Sequence, residues 1–330
     1  MDRRIGGYGP TAYPMSPIAR SLLVPILLII FFLASCTNIQ PVAKIGLIAP
    51  FEGLYRRTGY EALAAMRLAI AELPTPGLGV LPLALDDSGD PTQARRSAEK
   101  LLVDPSVRAV VGPLWPSLAA ATAATLSDAD VKWVTPYAIA PDRGFDDPAA
   151  REWAVGLVAS VAAAAREQGA DRLVLAGDAT GWPALTAAEW TAVAGMPVTY
   201  ATADAGPGGL DARDAVFWLG TADAGASYVQ GLRTVLPTVP FWLGPQGGDP
   251  VFAERAPQVG DIYWATWSTL DYNEWAATHA PSTPNAYLVY MATRDAINAV
   301  SGMAPQPSTP WQVVRFEIGN DGASRLYQAP

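Results

Sequence analysis

From Lys44 to Pro141, short apolar runs alternate with longer stretches whose apolar residues recur every three or four positions. The short runs are Lys44–Pro50, Leu81–Asp87, Val107–Pro113 and Val131–Ala138, and they predict strands. Between them the period predicts helices. One runs over Tyr60–Leu73, with Leu63, Met66, Ile70 and Leu73 on one side. The next runs over Asp90–Asp104, opened by an N-cap Asp with Pro91 at the first helical position, and a third, of small residues, covers Leu118–Leu126. Strands alternating with helices of this length imply a parallel sheet, and in such sheets ligands bind outside the carboxyl ends of the strands. Each run here ends in a turn of Pro, Gly, Asp or Thr, which suits such a rim.

The alternation resumes after a turn-rich stretch, Thr135–Ala149. A helix over Arg151–Gly169 leads to strands at Asp171–Asp178, Met196–Thr202, Asp214–Gly220, Val239–Pro245 and Gly260–Trp267, with helices over Ala184–Val193 and Ala226–Leu236 between them. An amphipathic helix over Asn285–Val300 has Leu288, Met291, Ala292, Ala296 and Ala299 as its apolar face and should return to the first sheet. The tail from Trp311 reads as a hairpin around Asn320-Asp321-Gly322. Two βα series in one chain give an α/β reading with two lobes: 44–141 with 268–310 as lobe one, and 142–267 as lobe two, to which 311–330 is a candidate addition.

The N-terminus changes the picture of where the chain works. Arg3, Arg4 and Arg20 precede the apolar run Ser21–Ala34, of the length of a signal-peptide core and short for a membrane helix. Leu33-Ala34-Ser35-Cys36 follows at once and matches a bacterial lipobox, so residues 1–35 read as a lipoprotein signal peptide, Cys36 as the lipidated residue and 36–43 as a tether. Cys36 is the single cysteine, which leaves no disulfide and no thiol chemistry for the rest. The chain carries a net charge of −9, and removing a leader with three Arg and Asp2 brings the remainder near −11. An acidic surface argues against nucleic acid and offers no polybasic membrane patch.

The segments KIGLIAPFEG, TGYEALAAMRLAIAEL, LALDDSGDPTQARRSAEKLL, VRAVVGPLWPS and VTPYAIAP, with PFWLGPQG and NAYLVYMATRDAINAV further on, resemble the substrate-binding lipoproteins of branched-chain amino-acid-type ABC transporters, the type I periplasmic binding proteins. The resemblance is specific in the first third and looser beyond. It implies two Rossmann-like lobes with parallel central sheets joined by a multi-stranded hinge. It also implies a small-molecule ligand held in the interlobe cleft, an ABC permease in the membrane as partner, a monomer, and no cofactor or metal. In such proteins two turns of the first lobe hold the ligand's carboxylate and ammonium. Here they read Gly112-Pro113-Leu114-Trp115-Pro116-Ser117 and Thr135-Pro136-Tyr137-Ala138-Ile139. The aligned hydroxyl of the second turn is Ile139. The acid that meets the ammonium from the second lobe is Gln246 in Gly244-Pro245-Gln246-Gly247, and an aromatic near the preceding strand is Thr221.

These departures matter because a buried ammonium without an anionic partner costs several kcal/mol. Gln246 is neutral and Ile139 has no polar group. The cleft therefore suits an uncharged or weakly polar solute better than a zwitterionic amino acid, with Trp115, Tyr137, Trp182 and Trp267 as candidate walls. Ser117, Ala138, Thr221 and Gln246 complete the candidate contacts. Each has a plainer reading: Trp115 caps its sheet, Ser117 N-caps the following helix, Trp264 and Trp267 belong to the core, and Asp86 and Asp87 cap a turn. Catalysis has little to stand on, since His279 is the single histidine, no Cys/His cluster can hold zinc, and Gly206–Gly209 precedes no helix of the kind a phosphate loop needs. The reading is a solute-binding lipoprotein rather than an enzyme, and its alternative is a ligand sensor or accessory lipoprotein on the same fold.

Overall fold

In a computed structural model, residues 40–136, 148–202, 206–269, 271–303, 311–319 and 323–327 are described. The signal peptide, Cys36 and the turn Asn320-Asp321-Gly322 lie outside them, as do the site candidates Tyr137 and Ala138 and the replaced hydroxyl at Ile139. The first sheet is four parallel strands, in the order β2 (Gly79–Asp86), β1 (Val42–Ala49), β3 (Val107–Val111) and β4 (Lys132–Val134). The connecting helices are α1 (Arg56–Glu72), α2 (Pro91–Val103) and α3 (Pro116–Ser127). Strand β1 is covered on both faces, which is why five successive residues from Ile45 to Ala49 are apolar or Gly and none is exposed.

Helix α1 buries Ala62, Ala65, Met66 and Ala69, while Leu63 and Ile70, expected on its inner face, are only half-buried. Apart from Met66, the inner stripe is made of small residues because the helix lies close on its neighbours. A Cβ on Gly59 would come within 1.9 Å of the Pro50 carbonyl oxygen, so only glycine fits where α1 approaches the end of β1. The N-terminus of α2 forms as its sequence dictates, with the Asp90 side chain accepting from the Gln93 N–H at 2.8 Å and Pro91 at the first position.

The second sheet has seven strands in the order β11 (Ser324–Leu326), β10 (Trp311–Ile318), β9 (Ile262–Thr269), β8 (Phe241–Leu243), β7 (Asp214–Trp218), β5 (Arg172–Ala176) and β6 (Val198–Ala201). From β6 to β9 every pairing is parallel, and β10 and β11 add antiparallel at the β9 edge. Helices α4 (Pro148–Glu167) and α5 (Ala187–Ala194) cover one face through Leu157, Val161, Ala165 and Trp190 packed on Leu173, Leu175, Phe217 and Trp242. Helices α6 (Ala222–Val235) and α7 (Pro250–Arg255) cover the other, over Val216, Trp218, Phe241, Leu243 and Trp264. The alternation within β7, with Val216 and Trp218 to one side and Ala215 and Phe217 to the other, follows the two-residue period of a strand.

After β9 the chain forms α8 (Tyr272–Thr278) and α9 (Pro284–Ser301), and α9 packs on α1, β3 and β4 of the first sheet. It is buried more widely than one stripe, through Tyr287, Val289, Tyr290, Thr293 and Ile297 as well as Leu288, Ala292 and Ala296; Ala299, expected on that stripe, is exposed. The α/β class with parallel sheets is thus observed as expected. Helices α7 and α8 are additions that no periodic pattern announced, being only one or two turns long. Among the described residues no helix is long and apolar enough to cross a membrane.

Candidate functional site

The carboxyl ends of the two sheets carry two rims of turns. On the first sheet the rim is built by the β1–α1 turn with Tyr55, by Asp86–Asp90 after β2, and by Gly112–Trp115 after β3. On the second it is built by Gly177–Trp182 after β5, by Leu219–Thr221 after β7, and by a 3-10 turn, Pro245–Gly248, after β8. These rims touch. A Cβ on Gly181, whose φ is +88°, would meet the Pro116 carbonyl group at 2.6 Å, so the turn that carries Trp182 rests on the turn that carries Trp115 and Ser117. One continuous body of buried apolar residues runs from Ile45, Val111 and Trp115 of the first sheet to Trp218 and Leu243 of the second.

Trp115 is 3% exposed. Its ring stands edge-on to Tyr55 at 4.5 Å between centroids and closes over Gly89, where a Cβ would come within 2.9 Å of it. Ser117 sits in the first turn of α3, half-buried; the N-cap position is Trp115, so Ser117 does not cap that helix. Trp182 is half-buried over the ends of β7 and β8, edge-on to Phe217 and beside Gly244. Thr221 occupies the N-cap position of α6, its carbonyl accepting from the Trp218 indole at 3.0 Å and its hydroxyl engaging Asp223. Gln246 is buried in the 3-10 turn. Trp267 differs from these five. Its side chain points to the α4 face of the second sheet, packs on Trp153 and Gly156, and donates its indole N–H to the Trp153 carbonyl at 3.3 Å. The residue two positions along a strand from the core position Ala265 must share its face, and α4 covers that face. The sole histidine, His279, is held between the Trp275 carbonyl and Glu72, which raises it above its ordinary range, and it touches no rim residue named here.

Four residues absent from the sequence reading bridge the rims. The Tyr55 hydroxyl donates to the Asp223 carboxylate and accepts from the Asp223 N–H at 3.3 Å. The Thr58 hydroxyl donates to Asp249 at 2.7 Å, where Thr58 and Asp249 are 4% and 2% exposed. Burial, and then the hydrogen bond to Asp223, pushes the Tyr55 phenol above its ordinary range. Burial works to raise Asp223 as well, but hydrogen bonds from Tyr55, Thr221 and the backbone outweigh it and hold the carboxyl below the usual range. Asp249 goes the other way. Burial lifts it to about 6 against the bonds from Thr58 and the Val251 N–H, and Glu61 and Glu254 add to the rise. Asp87, fully buried at the end of β2, is lifted to about 7 by burial; one of its oxygens accepts from Gly89 and the other has no partner. Asp223 was legible only as an acid in the first turn of a helix, and Asp249 only as an N-cap before Pro250, because their partners lie more than 150 positions away in sequence. Asp223 and Asp249 are thus engaged by hydroxyls from the β1–α1 turn and the start of α1, while Asp87 is not. Among the described residues no group of acids, histidines and cysteines could hold a metal ion.

A family model described as periplasmic binding protein matches residues 42–242. The Leu/Ile/Val-binding protein BraC3 of Rhizobium johnstonii is 39% identical over 103 residues, which is 30% of this chain and 28% of that protein's length. A leucine-binding protein from Thermotoga maritima superposes with a TM-score of 0.67 at 17% identity, covering 87% of this chain and 98% of the other. A solute-binding protein of an ABC transporter from R. palustris, in complex with 4-hydroxybenzoate, gives a TM-score of 0.59 at 14% identity over 87% of this chain and 96% of the other. At these identities the two structures establish the fold.

Proposed function

This chain belongs to the periplasmic binding protein family, and from that premise we propose that it is an extracytoplasmic solute-binding lipoprotein, anchored through Cys36, which captures a small molecule between its lobes and delivers it to an ABC importer. Lobe one comprises 44–141 and 268–310, and lobe two 142–267 with 311–330. The observation that carries the reading is the pair of opposed carboxyl rims joined by hydrogen bonds across the lobes. That arrangement is a closed clamshell. A ligand that contacts both rims stabilises it by its differential affinity for the closed form.

The ligand class follows from the chemistry of the rims. Asp223 and Asp249 are engaged with Tyr55 and Thr58, Gln246 is neutral, and the half-buried Trp182 supplies aromatic surface, whereas Trp115 is packed away. An ammonium seeking Asp223 or Asp249 would have to displace a hydrogen bond from Tyr55 or Thr58. A neutral or weakly polar solute meets no such cost.

A thermal-shift screen tests this, with amino acids, amides, small carboxylates, sugars and aromatic acids as the panel. A ligand at about 100 times its Kd adds about 2.7 kcal/mol, a rise of several degrees. A hit among neutral or aromatic compounds supports both the function and the ligand class. A hit with leucine keeps the function and overturns the ligand class. Silence across the panel favours an accessory or sensory role.

A further inference from the structure

The structure assigns Asp249 and Thr58 the role of a protonation-sensitive latch, which makes closure of the two lobes more favourable as the pH falls. This rests on the binding-protein reading above and concerns the regulation of that same cleft. Thr58 belongs to the first turn of α1, over the first sheet. Asp249 caps α7, over the second, through its other oxygen and the Val251 N–H at 3.0 Å. Their 2.7 Å hydrogen bond therefore exists only when the lobes are together, and both side chains are buried there. Opening returns the carboxylate to water.

The surroundings of Asp249 decide the sign. Facing it from α1 are Glu61 and Arg57, and from its own helix Glu254. Tyr272 of α8 lies across a half-open cavity of about 550 Å³ that reaches from Arg57 and Asp249 to Ser324. Arg57, the cation among these, is itself exposed and turned to Glu61 at 3.1 Å and Glu254 at 3.7 Å. The closed form therefore holds a buried carboxyl among acids, with a hydroxyl rather than a cation as its direct partner. Such a site binds a proton more tightly than the same group in water. Burial lifts the closed-form carboxyl from the ordinary 3.8 to about 6. By linkage, protonation pulls the equilibrium toward the closed form. The closed-to-open ratio falls as pH rises between these two values and is level above them. A neutral carboxyl keeps the contact, because it can either accept from Thr58 or donate to it.

The test needs no ligand. Dyes are placed on Val103→Cys and Val235→Cys, exposed at the ends of α2 and α6, in the full chain with Cys36→Ser, and the interlobe distance is followed by single-molecule energy transfer. Between pH 7 and pH 5 the closed-to-open ratio should rise about tenfold. In Asp249→Asn, which preserves the helix cap and the contact to Thr58, the ratio should be nearly level over that interval. Thr58→Val should lower the ratio at pH 7, and it decides the matter if the Asn variant does not fold. A level wild-type profile, an Asn variant as steep as wild type, or an unchanged ratio in Thr58→Val would each overturn the latch. The two readings fail separately. If the distance follows pH while no panel compound binds, the transport reading fails alone. If a ligand binds while the distance ignores pH, the latch fails alone.

Discussion

Trp115 shows how one residue can serve the cleft and the core at once. It stands at the end of β3, where a rim residue would touch a solute, yet it is 3% exposed and filled in by Tyr55 and Gly89. Removing a ring packed this closely leaves a cavity as well as losing apolar burial. Trp115→Ala should therefore cost about 3–5 kcal/mol in denaturant unfolding, as truncation of a buried aromatic does. A loss below about 1 kcal/mol would show that the ring packs only when ligand or the closed form demands it. Trp267 is the instructive contrast. Trp115 lies in the turn after β3 and Trp267 near the end of β9, and what distinguishes them is that the ring of Trp267 is turned to α4 and that of Trp115 to Tyr55 and Gly89.

At the scale of elements, the start of α2 was written locally and formed where it was written, while α1, α5 and α6 start at Arg56, Ala187 and Ala222 rather than at Tyr60, Ala184 and Ala226. Asp90 with Pro91, Thr186 with Glu189 and Thr283 with Pro284 each accept from a backbone N–H three residues on. Asp90→Ala should remove that bond from α2 and cost about 1 kcal/mol, read as a fall in the denaturant midpoint at unchanged slope. No change in midpoint would mean that the packing of Ala94, Ala98 and Leu101 alone fixes the helix start. The inner face of α1 was less legible. Of the stripe its most hydrophobic residues predicted, the structure buries Met66 fully, but with Ala62, Ala65 and Ala69 beside it rather than Leu63 and Ile70, because close approach to Pro50 and to α9 favours small side chains there.

For the whole molecule, function depends on how the two rims meet. Gly181 lies where the second lobe rests on the backbone of Pro116, at a φ of +88° that other residues rarely adopt. A methyl group there collides with peptide atoms, which cannot rotate away as a side chain can. Gly181→Ala should prop the lobes apart. Small-angle scattering should then report a larger radius of gyration than wild type, with ligand binding weakened and each lobe still folded. An unchanged radius would place the resting form already open in solution. The interlobe bonds from Tyr55 and Thr58 belong to the same scale, since neither residue is informative beside its own sequence neighbours.

The order of the main strands and longer helices, the parallel pairing and the cap of α2 were determined by the sequence alone. Each depends on periodicity or on groups within a few residues, and those forces act along the chain. The sequence also carried the substitutions at Ile139 and Gln246 that argue for an unusual ligand. Tertiary structure alone decided that Trp267 packs under α4 and that Asp223 and Asp249 are engaged by Tyr55 and Thr58. It also decided that burial lifts Asp249 toward neutrality. Burial and hydrogen-bond partners are properties of what surrounds a group in space, and residues that lie far apart in the chain become neighbours only when the chain folds.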